Sequence, residues 1–195
     1  MQTLEAIRTR RSLGKQTDQV PTRAQIETIL EAGTWAPNHH LTNPWRFVVI
    51  AGQAREEFGR IGAQSKLRRM ESEGRDTTGE EEKLIAKALR SPIIIAIGIE
   101  PDPTAPELEE IASGAAAAQN MLLAAHDLGL AAIWRSGDPM FDPAVAEWMG
   151  LSGSGTVLGF IYLGFAAVQK EAGRRTPFAE ITEWRGWTDD HDNHA

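Results

Sequence analysis

The sequence predicts an α+β fold, a central mixed β-sheet surrounded by helices, and three observations carry that prediction. Helical periodicities dominate the chain, the strands are few, short and strongly apolar, and one long helical stretch separates two buried strands. The 195 residues, 42% hydrophobic and 24% charged, suit one domain over residues 1–195 with a full core. No internal repeat or low-complexity linker divides it.

Thr3 can cap a short first helix, and Thr22 with Gln25 has the spacing of a capping box opening a second. Ile26, Ile29 and Leu30 share one face of that helix, and Gly33 can close it. After the loop APNHHLTNP, held by proline at both ends, Phe47 to Ile50 reads as a strand buried on both faces. Between Gln53 and Leu89, charges lie among helical apolar positions and are interrupted by EGRDTTGEE, which predicts two helices joined by a mobile, solvated connection. PIIIAIGI is the clearest strand, ended by PDPTAPE. A long helix follows from about Glu107 to Leu128, stopped by Gly129, and its small-residue centre SGAAAAQN allows a close neighbour. LAAIW gives a short strand, Asp142 before Pro143 caps another helix, and Thr156 to Leu163 is the last strand. The polar end with Trp184 and Trp187 reads as an extension.

Lys plus Arg number 20 and Asp plus Glu 27, a formal charge of −7, which disfavours a general nucleic-acid surface. There is no cysteine, so thiolate catalysis, disulfides and thiolate metal sites are excluded together. MQTLEAIRTRR has no apolar core behind its charges, and IIIAIGI is far shorter than the roughly 20 residues that span a bilayer. We therefore expect a cytoplasmic chain with no membrane partner.

The common nucleotide fingerprints are missing: no G-x-G-x-x-G follows a strand, no Walker A lysine loop occurs, and GLSGSGTVLG has neither spacing. His39 and His40 are loop neighbours rather than two ligands on one helical face, and His191 and His194 sit in a polar terminus, so no metal site is expected.

What remains is a set of donors. Arg10 and Arg11 offer planar bidentate donors and Ser12 a hydroxyl at a helix end, a combination suited to phosphate or a polyol. Taken alone the arginine pair reads better as solvated surface. Trp35 can staple its helix to the core, His39 can bond its own loop backbone, and Asn120 and His126 read as satisfied interior or interfacial polar groups. Arg46, Arg68 and Arg69 read as surface charge.

Taken in order, RRS near the N-terminus, WAPNHHLTNPWRFVVI, AAAAQNMLLAAHDLGL, AIWRSG and GFIYLG resemble the FMN-dependent nitroreductase family over nearly the whole chain. The WRSG element places the resemblance in its compact bacterial NAD(P)H nitroreductase subgroup. The resemblance implies an intertwined, obligate homodimer with one FMN in each of two interfacial sites. By similarity, Arg10, Arg11 and Ser12 contact the ribityl phosphate and the pyrimidine side of the flavin, while Trp35 and His39 reach in from the other subunit. Trp134, Arg135 and Ser136 match the stretch that lines the cofactor, with Arg135 suited to the phosphate, and Arg174 with Arg175 resemble the basic pair that completes the phosphate site. The helix end Ala124, Ala125, His126, Asp127, Leu128 and Gly129 matches a nicotinamide contact, although its composition equally fits helix packing. The loop departs from the family pattern: relatives carry serines, an Asn and a Gln where this chain has His39, Leu41 and Asn43.

The implied reaction is hydride transfer from NAD(P)H to N5 of FMN and then to a nitroaromatic, quinone or similar acceptor, in ping-pong order. It needs no catalytic side chain. A specialised flavoenzyme of the same fold, such as a dehalogenase or flavin-converting enzyme, and a non-catalytic FMN-binding protein are the alternatives.

Overall fold

The computed structural model describes residues 1–171 and 173–187. Helices α1 (Thr3–Thr9) and α2 (Arg23–Thr34) precede strand β1 (Trp45–Ala51); α3 (Ala54–Ser72) and α4 (Glu80–Ala88) lead into β2 (Ile93–Ile99). Helix α5 (Glu107–Asp127) connects β2 to β3 (Ala131–Arg135), and α6 (Pro143–Trp148) precedes β4 (Thr156–Gly164).

The sheet order is β1-β2-β4-β3. All three ladders are antiparallel. The expected mixed character is therefore confined to an isolated parallel bridge between Ser12 and Ala132, outside the named strands. The reason is topological: β2 and β3 run in the same direction, but the α5 crossover leaves room for β4 to insert between them.

β2 is buried along its whole length. Ile93, Ile95, Ile97 and Ile99 join the core beneath α2 and α5, while Ile94 and Ala96 face the second cluster with Phe58, Ala88 and Val145 of α3, α4 and α6. Each fully buried isoleucine contributes roughly 1.5–3 kcal/mol. β1 departs from its expected burial on both faces: it lies at the sheet edge, with Arg46, Val49 and Ala51 exposed.

The helix ends follow local chemistry in most cases. Thr22 and Gln25 form the complete capping box of α2, and the Asp142 carboxylate accepts from the Ala144 N–H to start α6. Thr3 is the first residue of α1 rather than its cap, since Gln2 occupies that position without a side-chain bond. Gly33 does not close α2 either. It is buried in the last turn, where a Cβ would come within 2.9 Å of Met121 Cγ, so the absent side chain lets α2 lie close on α5. Gly129, at φ +73°, is the residue that stops α5. Among the described residues no helix is long and apolar enough to cross a membrane.

Candidate active site

After α1 the chain runs as a strap beside β3. Leu13 N–H donates to the Ala132 carbonyl at 3.0 Å, Thr17 N–H to Phe165 at 2.9 Å, and Ala167 N–H to Lys15 at 3.0 Å. The Gln16 amide nitrogen fastens the strap from inside, donating at 3.1 Å to the carbonyls of Leu13, Ala131 and Tyr162.

On this strap Arg10 is half-buried, and its Nη1 is buried with no hydrogen-bond partner. Burial, then the neighbouring guanidinium groups of Arg175 and Arg11, hold Arg10 below the usual arginine value. The structure thus gathers Arg10, Arg11 and Arg175. Among the described residues none of Arg10, Arg11, Arg174, Arg175 or Lys170 is in an ion pair. A buried charged donor without a partner costs about 1–3 kcal/mol or more, and a bound anion removes that cost. The Arg11 guanidinium instead donates to the carbonyls of Arg8, Arg10 and Glu171 and so ties the late segment to the end of α1. Arg174 is exposed and its carbonyl accepts from Arg175 Nη1 at 2.8 Å. Ser12 is exposed, and its carbonyl accepts from Lys170 Nζ at 2.7 Å.

The end of β3 supplies the second part. Trp134 is half-buried and packs on the α5-side core, with its indole so close to Gly159 that a Cβ there would lie 2.5 Å from Nε1. Gly159 adopts φ +140°, a conformation that glycine accepts without strain. Arg135 projects to the other side of the strand, as strand alternation requires. Its guanidinium lies 5.3 Å from the centre of the Tyr162 ring. Among the described residues no hydrogen bond or ion pair joins Arg135 to Arg10, Arg11 or Arg175. With Ser136 and Gly14 it lines a cavity of about 300 Å³ between the strap, β4 and helices α3 and α4.

The turn that follows is held by α3. Arg69 makes a bidentate pair with Asp138 at 2.6 and 3.0 Å, and Arg68 bonds buried Asp142 at 2.8 Å. These arginines are not free surface charges, as their exposed helical positions suggested; their partners lie far along the sequence and meet them only after folding.

On the opposite side of the strap a second cavity of about 310 Å³ is lined by Thr9, Arg11, His126, Gly129 and Lys170, among others. His126 Nε2 lies 2.8 Å from Thr9 Oγ1. Of the candidate nicotinamide segment only His126 and Gly129 face this cavity. Ala125 is buried in the core, Ala124 and Leu128 pack on it, and Asp127 pairs with the N-terminal ammonium at 2.9 Å.

Trp35 and His39 stand apart. Trp35 caps the end of α2 and is 79% exposed. His39 Nδ1 meets Glu109 Oε2 at 2.6 Å, at the start of α5, whereas Thr9, the last residue of α1 before the arginine strap, meets His126 near the end of α5. At about 1.5 Å per residue these two contacts are roughly 25 Å apart along the helix. The loop beside His39 carries three non-glycine residues at positive φ, His40, Leu41 and Asn43, and Leu41 is 78% exposed.

Sequence reasoning missed Gln16, Lys170 and Gly14. Gln16 offers no local signal, because two of its three carbonyl partners lie in β3 and β4. Lys170 lies just upstream of the Arg174–Arg175 pair, the nearest signal to it.

A family model described as the nitroreductase family matches residues 7–165. The chain is 34% identical over 170 residues to a protein of Escherichia coli (strain K12) named "Putative NAD(P)H nitroreductase YdjA", covering 84% of this chain and 88% of that protein. Among solved structures it is similar to a nitroreductase-like family protein from Bacillus cereus, with 26% identity, a TM-score of 0.84, and coverage of 96% of this chain and 97% of that one. A Desulfovibrio desulfuricans structure described as a nitroreductase in complex with FMN matches with 27% identity, a TM-score of 0.75, and coverage of 95% and 97%.

Proposed function

Since the chain belongs to the nitroreductase family, we propose that it is an FMN-dependent NAD(P)H oxidoreductase, built as one domain over residues 1–195 and acting as a homodimer. The observation that carries this reading is the buried, unpartnered Nη1 of Arg10 beside Arg175 and Arg11. That donor set fits a phosphate dianion, and the names of the relatives supply the cofactor and donor classes.

In this reading Arg10 and Arg175 hold the phosphate, and Arg11 keeps the strap and the late segment at a fixed distance through its three carbonyl bonds. Trp134, Ser136 and the backbone between them line the ring. Arg135 places positive charge over the Tyr162 side of the site, where it stabilises negative charge that develops during reduction. Trp35 and His39 are supplied by the second copy, because roughly 25 Å along α5 separates the His39 contact at Glu109 from the Thr9 contact at His126 in the same chain. Bound FMN would supply hydride acceptance at N5 from NAD(P)H and delivery to a nitroaromatic, quinone or similar acceptor. The protein's part is binding, orientation and charge, with no side chain required as acid or nucleophile.

Anaerobic addition of NADPH and then NADH to FMN-reconstituted protein tests the reading through the visible spectrum. Bleaching of the flavin band is the expected result and shows the donor preference. Bound flavin that neither nicotinamide bleaches would identify a non-catalytic FMN-binding protein instead.

A further inference from the structure

The Ser136–Gly137 stretch carries two backbone N–H groups that, among the described residues, donate to no protein acceptor. Both residues are exposed. Gly137, at φ +144° and ψ −166°, takes a conformation essentially confined to glycine, and a Cβ built there would find nothing within 4 Å. Packing around Gly137 therefore does not fix where these donors point, and the glycine is free to act as a hinge between β3 and the next turn.

What fixes them comes from α3. Immediately after the hinge, Asp138 receives the Arg69 fork, Nη1 at 2.6 Å and Nη2 at 3.0 Å. Pro139 sits in a notch at buried Gly62, where a Cβ would come within 2.9 Å of the proline Cγ. Gly62 and Arg69 are seven residues apart, about two helical turns, so one face of α3 makes both contacts. Arg68 holds Asp142, and Glu57 accepts from the Trp148 indole at 3.0 Å, so the turn and α6 are carried on the same helix. Glu73 Oε1 lies 3.8 Å from Arg69 Nε and leaves both Nη atoms to Asp138. The Arg69–Asp138 pair is partly exposed, at 52% and 27%, so its effect lies in geometry more than in stability.

We propose that Arg69 is a positioning residue for flavin reduction: through Asp138 it aims the Ser136 and Gly137 N–H groups at the flavin side of the site, where they favour the reduced, more negative ring. The proposal rests on the function proposed above. Donors held in place stabilise added charge because they need not reorganise to meet it. Donors on a free hinge lose that advantage.

The test uses the full FMN-loaded chain with dithionite as reductant, so that the midpoint potential of the bound flavin is measured without a nicotinamide. Arg69→Gln and Asp138→Asn should each weaken the preference for reduced over oxidised FMN about tenfold, a fall in potential of about 30 mV for two electrons. Affinity for oxidised FMN and the urea midpoint of the FMN-free protein should stay close to wild type. The double variant should fall no further than either single one, because both remove the same contact. Arg69→Lys, which keeps the charge without the fork, should fall by less. Arg60→Gln, on the same helix and paired with Glu56, should leave the potential unchanged. Should Arg69→Gln fail to fold, Asp138→Asn and Arg69→Lys carry the comparison. An unchanged potential in Asp138→Asn and the Arg69 variants would overturn the proposal, as would additive falls in the double variant or an equal fall in Arg60→Gln. Dithionite reduces the flavin whether or not a nicotinamide does, so a protein that neither NADPH nor NADH bleaches would lose the reductase reading while the potential shift still decides the positioning role.

Discussion

Arg10 and Arg175 show how a single residue's role depends on what surrounds it. Arg10 Nη1 has lost water without gaining a protein acceptor, so a bound phosphate recovers solvation that folding removed. Replacing Arg175 by Gln should raise the FMN dissociation constant about tenfold, measured by quenching of flavin fluorescence, and high salt should weaken the wild-type protein in the same direction. Tyr162 is the chain's one tyrosine, so absorbance at 295 nm titrates it alone. Burial raises its pKa from 10.0, so the midpoint should lie above that value. Arg135→Gln should move it further up, because the cation it removes favours the phenolate. The linkage sign follows: below pH 10 both folded and unfolded states hold the proton, whereas above it the unfolded chain ionises first and stability falls as pH rises. A midpoint at or below 10 would refute the packed position of the ring.

At the scale of elements, two contacts decide how the site is framed. α2 reaches α5 through Gly33, where a Cβ would meet Met121 at 2.9 Å and Phe47 at 3.2 Å. Gly33→Ala should therefore cost about 1–3 kcal/mol through overpacking despite alanine's better helix propensity, read from urea unfolding. The turn after β3 is fastened to α3 at Asp138 and Asp142. Asp142 both caps α6 and pairs with Arg68; because that arginine is 59% exposed, the pair itself is discounted for screening. Asp142→Ala should cost about 2 kcal/mol, mostly from the lost cap and the buried position. No change in the unfolding midpoint would show that the turn is held by other contacts.

At the scale of the whole molecule, α5 is the ruler. It meets Thr9, at the end of α1 before the arginine strap, at one end and the His39 loop at the other, and Trp35, Leu41 and Leu108 are large apolar side chains left exposed. In the proposed dimer each site draws one group from each chain. Mixing an Arg10→Ala/Arg175→Gln chain with a Trp35→Ala/His39→Ala chain should then yield mixed dimers in which one site is intact and the other carries both lesions. One FMN per mixed dimer is expected, against little in either parent. Wild-type FMN uptake by the Trp35→Ala/His39→Ala chain alone would refute the shared site.

Much of the fold was legible along the chain because its causes are local. The capping box at Thr22 and Gln25, the Asp142–Pro143 start, the stop at Gly129 and the unbroken isoleucine strand each depend on residues within a turn or two of one another. The arginines of the strap and the WRSG stretch were legible too, as part of a family pattern. Sheet pairing was not, since a strand's apolar character does not say which neighbour inserts beside it. Gly33 was misread for the same reason: glycine after a helical run signals a stop, and only the position of Met121 reveals a packing role. By itself the sequence determined the helices, the strands, the buried core and the kind of donor it carries. Only the tertiary structure decided that Arg135 lies over Tyr162, that Arg68 and Arg69 hold a turn, and that His39 pairs with Glu109 at the start of α5. Those outcomes depend on contacts between distant residues and on which side of a strand each side chain leaves, and no local propensity records them.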